Sequence, residues 1–154
     1  MRTRVICFGN AIMRDDGAAI HVARELRAAL EKAGADVDVV ESAVAGYDLL
    51  ELMQDWERVI LVEAVQLADR EAGALLELNP LDDETYLRLC SSREGNIPTV
   101  MAAGEKLGYS MPREILLYGI QGEDLCTFGE GLSPLVAAAV PRVVSKILEK
   151  VGAS

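Results

Sequence analysis

Two hydrophobic periods alternate along this chain. Val5, Ile6, Cys7 and Phe8 form a short apolar run that predicts a buried strand, and Gly9-Asn10 supply the backbone freedom for a sharp exit. Residues 18–33 then place Ile20, Val22, Ala23, Leu26 and Leu30 at helical spacing, with Gly34 just past the end. Residues 36–40 read as a second strand, and 45–55, with Tyr47, Leu49, Leu50, Leu52 and Met53, as a short helix. Val59-Ile60-Leu61-Val62 is a continuous apolar run, the mark of a central strand covered on both faces, and it ends at Glu63. Residues 74–78 predict a fourth strand closed by Asn79-Pro80, and 114–120 a fifth. Residues 97–107, with Pro98 in the first turn, and 133–151, with Pro134 in the first turn and Pro141 as a candidate kink, predict two further helices. The least regular stretch, 81–96, is a candidate functional loop, and 121–131 is a second long connection.

Strands alternating with helices predict an α/β fold: a mostly parallel five-stranded sheet with helices on both faces. With 154 residues, 51% of them hydrophobic, the chain is expected to form a single domain over residues 1–154. A net charge of −10 argues against nucleic acid or an anionic membrane as partner, because both require a positive surface. Cys7, Cys90 and Cys126 are odd in number and widely spaced, which suits reduced thiols better than a disulfide framework or a zinc knuckle. The apolar run after Met1-Arg2-Thr3-Arg4 stops at Gly9, too short for a signal peptide, and a cytoplasmic location is expected.

The chemistry concentrates at the first loop, Gly9-Asn10-Ala11-Ile12-Met13-Arg14-Asp15-Asp16-Gly17. A glycine loop between strand and helix ordinarily suggests a phosphate site. Here the G-x-G-x-x-G spacing is absent, and Asp15 and Asp16 occupy the helix start, where they would repel a phosphate and where either can cap the helix. A cation or cationic group is the better guest. In doubly wound sheets ligands bind beyond the carboxyl ends of the strands flanking the switch point, usually the first and third. Asp16 follows the first strand and Glu63 ends the third. Such a pair can bind a divalent cation, share a proton or hold an arginine, and the residues alone do not choose. His21, five positions beyond Asp16 inside the first helix, is expected to be structural, and no Ser-His or Cys-His nucleophile is evident.

Phe8-Gly9-Asn10 with Asp15-Asp16-Gly17, then Glu41-Ser42-Ala43-Val44-Ala45-Gly46-Tyr47-Asp48-Leu49-Leu50, then Val62-Glu63-Ala64, and the closing Gly131-Leu132-Ser133-Pro134 together form an ordered set. In that order and spacing they resemble the maturation endopeptidases of [NiFe] hydrogenases, over nearly the whole chain. The resemblance implies a three-layer α/β sandwich around a twisted sheet, and removal of a C-terminal extension from the hydrogenase large-subunit precursor after nickel insertion. It implies nickel as the metal recognised, supplied by the substrate rather than tightly bound by the protease. It also implies metal-contacting positions at an acid in the first loop, an acid ending the third strand and a histidine in the later loop. Asp16 and Glu63 match the two acids, while Gly9, Asn10 and Gly46 would shape the cleft.

The sequence departs from that pattern at the third position, where Arg93 stands in the histidine's place, with Glu94 the alternative if the loop shifts by one residue. Cys7 replaces the first glycine of the usual Gly-x-Gly-Asn, and Glu63 the usual aspartate. Arginine offers donors only and cannot ligate a cation; pointing inward, Arg93 would bridge Asp16 and Glu63 in place of a metal. Glu94 pointing inward would instead complete a hard oxygen site, poorer for nickel than one containing an imidazole. The first expectation is therefore a maturation endopeptidase, of aspartic or metal-assisted type. The second is a non-catalytic homologue that binds a hydrogenase-like metalloprotein.

Overall fold

The computed structural model describes residues 1–43, 46–82, 84–89 and 97–154. Its five strands are β1 (Thr3–Phe8), β2 (Asp38–Ser42), β3 (Arg58–Val65), β4 (Leu75–Leu78) and β5 (Glu114–Gln121). The helices are α1 (Ala18–Ala33), α2 (Leu49–Met53), α3 (Glu84–Leu89), α4 (Ile97–Lys106) and α5 (Pro134–Val151), and 3-10 turns span Arg14–Gly17 and Gly46–Asp48. The sheet order is β2-β1-β3-β5-β4. All neighbours run parallel except β4, which pairs antiparallel with β5. From β1 the chain moves outward to β2 and then returns to the other side at β3, so the strand order reverses between β1 and β3. That reversal opens a crevice beyond their carboxyl ends.

Strand alternation divides the apolar residues between two cores. Val5 and Cys7 of β1 with Ile60, Val62 and Ala64 of β3 face α1 and α5, which contribute Val22, Leu26, Val136, Val140 and Val143. Ile6 and Phe8 with Val59, Leu61 and Val65 face the other layer, against Leu49, Met53, Ile97 and Val100 of α2 and α4. The sheet is therefore covered on both faces, as the continuous apolar run at 59–62 requires.

Several elements differ from the sequence reading. The second strand is displaced from 36–40 to Asp38–Ser42, because pairing with β1 begins at Arg4 opposite Asp38, where the two side chains form an ion pair of 2.6 Å. The short helix is reduced to the 3-10 turn and the five residues of α2, with 44 and 45 outside the described residues. The irregular stretch 81–96 contains the helix α3. Pro141 lies within α5 on its exposed side. Among the described residues, no helix is long and apolar enough to cross a membrane.

Candidate active site

The loop after β1 folds back on itself. Asn10 N–H donates to the Asp16 carbonyl at 3.3 Å, Met13 N–H to the Asn10 carbonyl at 3.1 Å and Asp16 N–H to the Met13 carbonyl at 3.1 Å. Gly9 lies so close beneath this turn that a Cβ there would overlap the Asp16 carbonyl oxygen, and a Cβ on Gly17 would stand 2.9 Å from the Ala11 Cα. Both glycines are thus demanded by backbone proximity.

Neither aspartate caps α1, contrary to the sequence expectation. Its N-cap is Gly17, the last residue of the 3-10 turn Arg14–Gly17, so the cap position falls one residue beyond Asp16. The two neighbours then part company. The Asp15 carboxylate, fully buried, accepts four hydrogen bonds: from Ser133 N–H at 2.7 Å, the Ser133 hydroxyl at 2.8 Å, and the N–H groups of Glu123 and Asp124 at 2.9 Å each. Ser133 is the N-cap of α5, so this charge meets the positive end of that helix. Burial by itself would raise the Asp15 carboxyl, but the hydrogen bonds from Ser133, Asp124 and Glu123 outweigh it and hold it below the ordinary carboxylate range.

Asp16 is also buried, and its Oδ2 accepts the Asn10 N–H at 3.2 Å. Glu63 is 4% exposed. It is not the last residue of β3, as the apolar run suggested: β3 continues to Val65, where it still pairs with β5. Glu63 is instead the last residue of β3 paired on both sides, opposite Phe8 of β1 and Gly119 of β5. Lying between Leu61 and Val65, it shares their face, toward α2 and α4. Only Gly9 separates Phe8, its register partner, from Asn10, the hydrogen-bond partner of Asp16, a span of at most about 7 Å. Both acids therefore stand at the mouth between β1 and β3. Among the described residues, no group donates a hydrogen bond or forms an ion pair with the Glu63 carboxylate. Its oxygens are not among the fully buried unpartnered atoms of the described residues, so they open onto the crevice, where a donor-free carboxylate is a natural receptor for a cation or a donor brought from outside.

Arg93 and Glu94 lie outside the described residues, and among the described residues no three His, Cys, Asp or Glu side chains converge as a metal site. The segments on either side of them meet where the buried Tyr86 hydroxyl of α3 accepts the Ile97 N–H of α4 at 3.0 Å. Gly46, at φ +60°, opens the 3-10 turn beyond β2. His21 is half-buried within α1. Cys7 is fully buried, and burial pushes its thiol up to about 12, which makes it inert, whereas Cys126 is exposed.

The residue overlooked by sequence reasoning is Gln121. Its side chain clamps the backbone of Leu67, accepting the Leu67 N–H and donating to the Leu67 carbonyl at 3.0 Å each. It fixes one wall of a groove of ≈ 810 Å³ lined by Gln66, Arg70, Glu71, Glu123 and Leu135 among others. The groove lies beyond the carboxyl ends of β3 and β5 and does not include Asp16 or Glu63.

Comparison with known proteins places this geometry in context. Residues 20–150 match the family described as HycI, hydrogenase maturation protease. Three solved structures superimpose closely. The hydrogenase maturating endopeptidase HybD from E. coli is 21% identical, with a TM-score of 0.76 over 97% of this chain and 91% of that one. The [NiFe] hydrogenase maturation protease HybD from Thermococcus kodakarensis is 24% identical, with a TM-score of 0.72 over 98% and 99%. The hydrogenase 2 maturation peptidase from Thaumarchaeota archaeon SCGC_AB-539-E09 is 25% identical, with a TM-score of 0.68 over 100% of both. Comparison with curated proteins gave no match.

Proposed function

The chain belongs to the hydrogenase maturation protease family, and from that premise we propose that it removes the C-terminal extension of a nickel-loaded [NiFe] hydrogenase large-subunit precursor in the cytoplasm. The observation that carries this reading is Glu63: a residue 4% exposed whose carboxylate has no donor among the described residues and still opens onto the crevice, at the point where β1 pairing stops beside the Asp16 turn. Folding holds this charge at the crevice without a partner among the described residues, and the positive charge that meets it is the metal of the incoming substrate. Asp16 and Glu63 sense or hold that metal, while Gly9, Asn10 and Gly46 shape the approach.

Cleavage of the peptide bond requires a polarised carbonyl and a water made nucleophilic. The substrate's own nickel, seated against the two acids, would supply Lewis acidity to the scissile carbonyl, and a carboxylate beside it would take the proton of the attacking water and return it to the leaving amine as the C–N bond breaks. On this reading the protein needs no resident metal.

Arg93 motivates a second reading, in which a non-catalytic homologue docks on the same metalloprotein and fills the metal's place with a guanidinium. One experiment separates the two. The protein is incubated with a nickel-loaded large-subunit precursor and the products are weighed by mass spectrometry. Loss of a C-terminal peptide supports the protease. A stable complex with an intact precursor supports the binder, and a precursor neither cut nor bound is ruled out as the partner.

A further inference from the structure

Two exposed large apolar side chains stand on neighbouring loop segments next to the proposed active site. Phe128 is 77% exposed and Ile12 is 50% exposed. The first loop and the loop after β5 are joined by a parallel bridge between Met13 and Gly129, in which Gly129 N–H donates to the Ile12 carbonyl at 2.8 Å and Arg14 N–H to the Gly129 carbonyl at 2.9 Å. Ile12 and Phe128 each immediately precede a bridged residue. The bridge therefore brings their backbone segments side by side, about 4.8 Å apart where they pair.

Exposed apolar residues scattered singly need no explanation. This pair differs in how it is held. Besides the bridge, Asp15 N–H donates to the Asp124 carbonyl at 2.9 Å, and the buried Asp15 carboxylate grips Glu123, Asp124 and Ser133. Asp124 Oδ1 in turn accepts the N–H groups of Cys126 and Thr127 at 3.0 and 2.9 Å, which closes the turn leading to Phe128. An aromatic and a branched aliphatic side chain are thus presented to solvent from a fixed backbone, so little ordering cost remains when a partner covers them. Ile12 also lies four residues before Asp16 in the same loop, so a partner seated on it is close to the acids in the chain.

The flanks decide the kind of partner. Glu123 and Glu130 are exposed and Asp124 is half-buried on the Phe128 loop, within a chain of net charge −10. Two copies meeting through this patch would bring like charges together around it, which disfavours self-association. A partner with an apolar site framed by basic residues fits.

We propose that Ile12 and Phe128 form the docking surface for the hydrogenase precursor, receiving an apolar, basic-flanked patch of its folded body while the tail enters between Asp16 and Glu63. This rests on the function proposed above. The test compares wild type with Phe128→Ser, Ile12→Ser, Phe128→Leu and the charge reversal Glu123→Lys/Glu130→Lys, using the nickel-loaded large-subunit precursor as probe. Each Ser variant is expected to raise KM for tail removal at least tenfold with kcat within twofold; Phe128→Leu retains most of the wild-type KM. The charge reversal raises KM, as does added salt. If the wild type binds without cleaving, the same variants are expected to raise Kd by similar factors. Unchanged KM and Kd in both Ser variants, beside an active or binding wild type, would overturn the docking surface and leave the function standing. A fall in kcat at constant KM would overturn it too, as would a wild-type dimer that Phe128→Ser dissociates. A wild type that neither binds nor cleaves the precursor would overturn both readings.

Discussion

The carboxylate of Asp15 accepts both the backbone N–H and the hydroxyl of Ser133, a residue 118 positions away. One side chain thereby ties the loop after β1 to the start of α5, and through Glu123 and Asp124 to the loop after β5. Replacing it removes the shared acceptor of four donors at once. Asp15→Ala is expected to lower unfolding free energy by about 3 kcal/mol, and Asp15→Asn by somewhat less, since the amide oxygen replaces only part of the acceptor capacity while its NH₂ faces donors. Urea denaturation of both variants checks this.

The same carboxylate makes stability depend on pH. Its folded pKa lies below the ordinary 3.8, so its contribution is complete above that value and is lost as pH falls through the lower folded value. Wild type is expected to lose stability on acidification below about pH 4, and Asp15→Asn to show a shallower loss over the same range. Urea midpoints measured from pH 7 down to pH 3 give the comparison. Parallel acid limbs in the two proteins would contradict it.

Asp16→Asn and Glu63→Gln are each expected to reduce removal of the precursor tail by a factor of about 10² or more while leaving the circular dichroism spectrum unchanged. Glu63→Gln should also keep the melting temperature close to that of the wild type, because no hydrogen bond from the described residues ends on this carboxylate. Normal processing by both variants would remove these acids from the mechanism.

Gly9→Ala tests the geometry that holds Asp16. The added methyl would overlap the Asp16 carbonyl, a backbone atom that cannot rotate aside, so the turn itself must shift. A stability loss of about 1–3 kcal/mol together with impaired processing is expected. Processing at the wild-type rate in a destabilised Gly9→Ala protein would mean that the position of Asp16 is not critical.

Thiol labelling should discriminate between the cysteines. Cys126 is exposed and is expected to react with iodoacetamide in the native protein, whereas Cys7, buried and with its thiol raised to about 12, should react only after unfolding. Peptide mapping of the alkylated protein reads both sites.

Much of this molecule was legible in its sequence because much of it is local. The continuous run Val59-Ile60-Leu61-Val62 and the stripe Ile20, Val22, Ala23, Leu26, Leu30 each state by period alone which element forms and which faces are covered, and both cores confirm them. Asp16 was likewise legible as an acid just beyond the first strand and Glu63 as one near the carboxyl end of the third, though not its last residue, since chain order and the switch-point rule require nothing beyond element order. The resemblance to maturation endopeptidases rested on short motifs whose spacing survives in one dimension, and the family match upholds it.

What the tertiary structure alone decided depends on register and on long-range approach. Two adjacent aspartates look interchangeable in the sequence. Only the 3-10 turn sends Asp15 to the N-terminus of α5 and leaves Asp16 bonded to Asn10, because one residue of rotation in a tight turn reverses the direction of a side chain. The end of the apolar run suggested that β3 stops at Glu63. In the sheet it is β1 that stops there, while pairing with β5 carries β3 to Val65. Ile12 and Phe128 become neighbours only through the Met13–Gly129 bridge. Composition and period state what each segment prefers; which distant segments share hydrogen bonds is settled when the layers pack and every buried donor must find its acceptor.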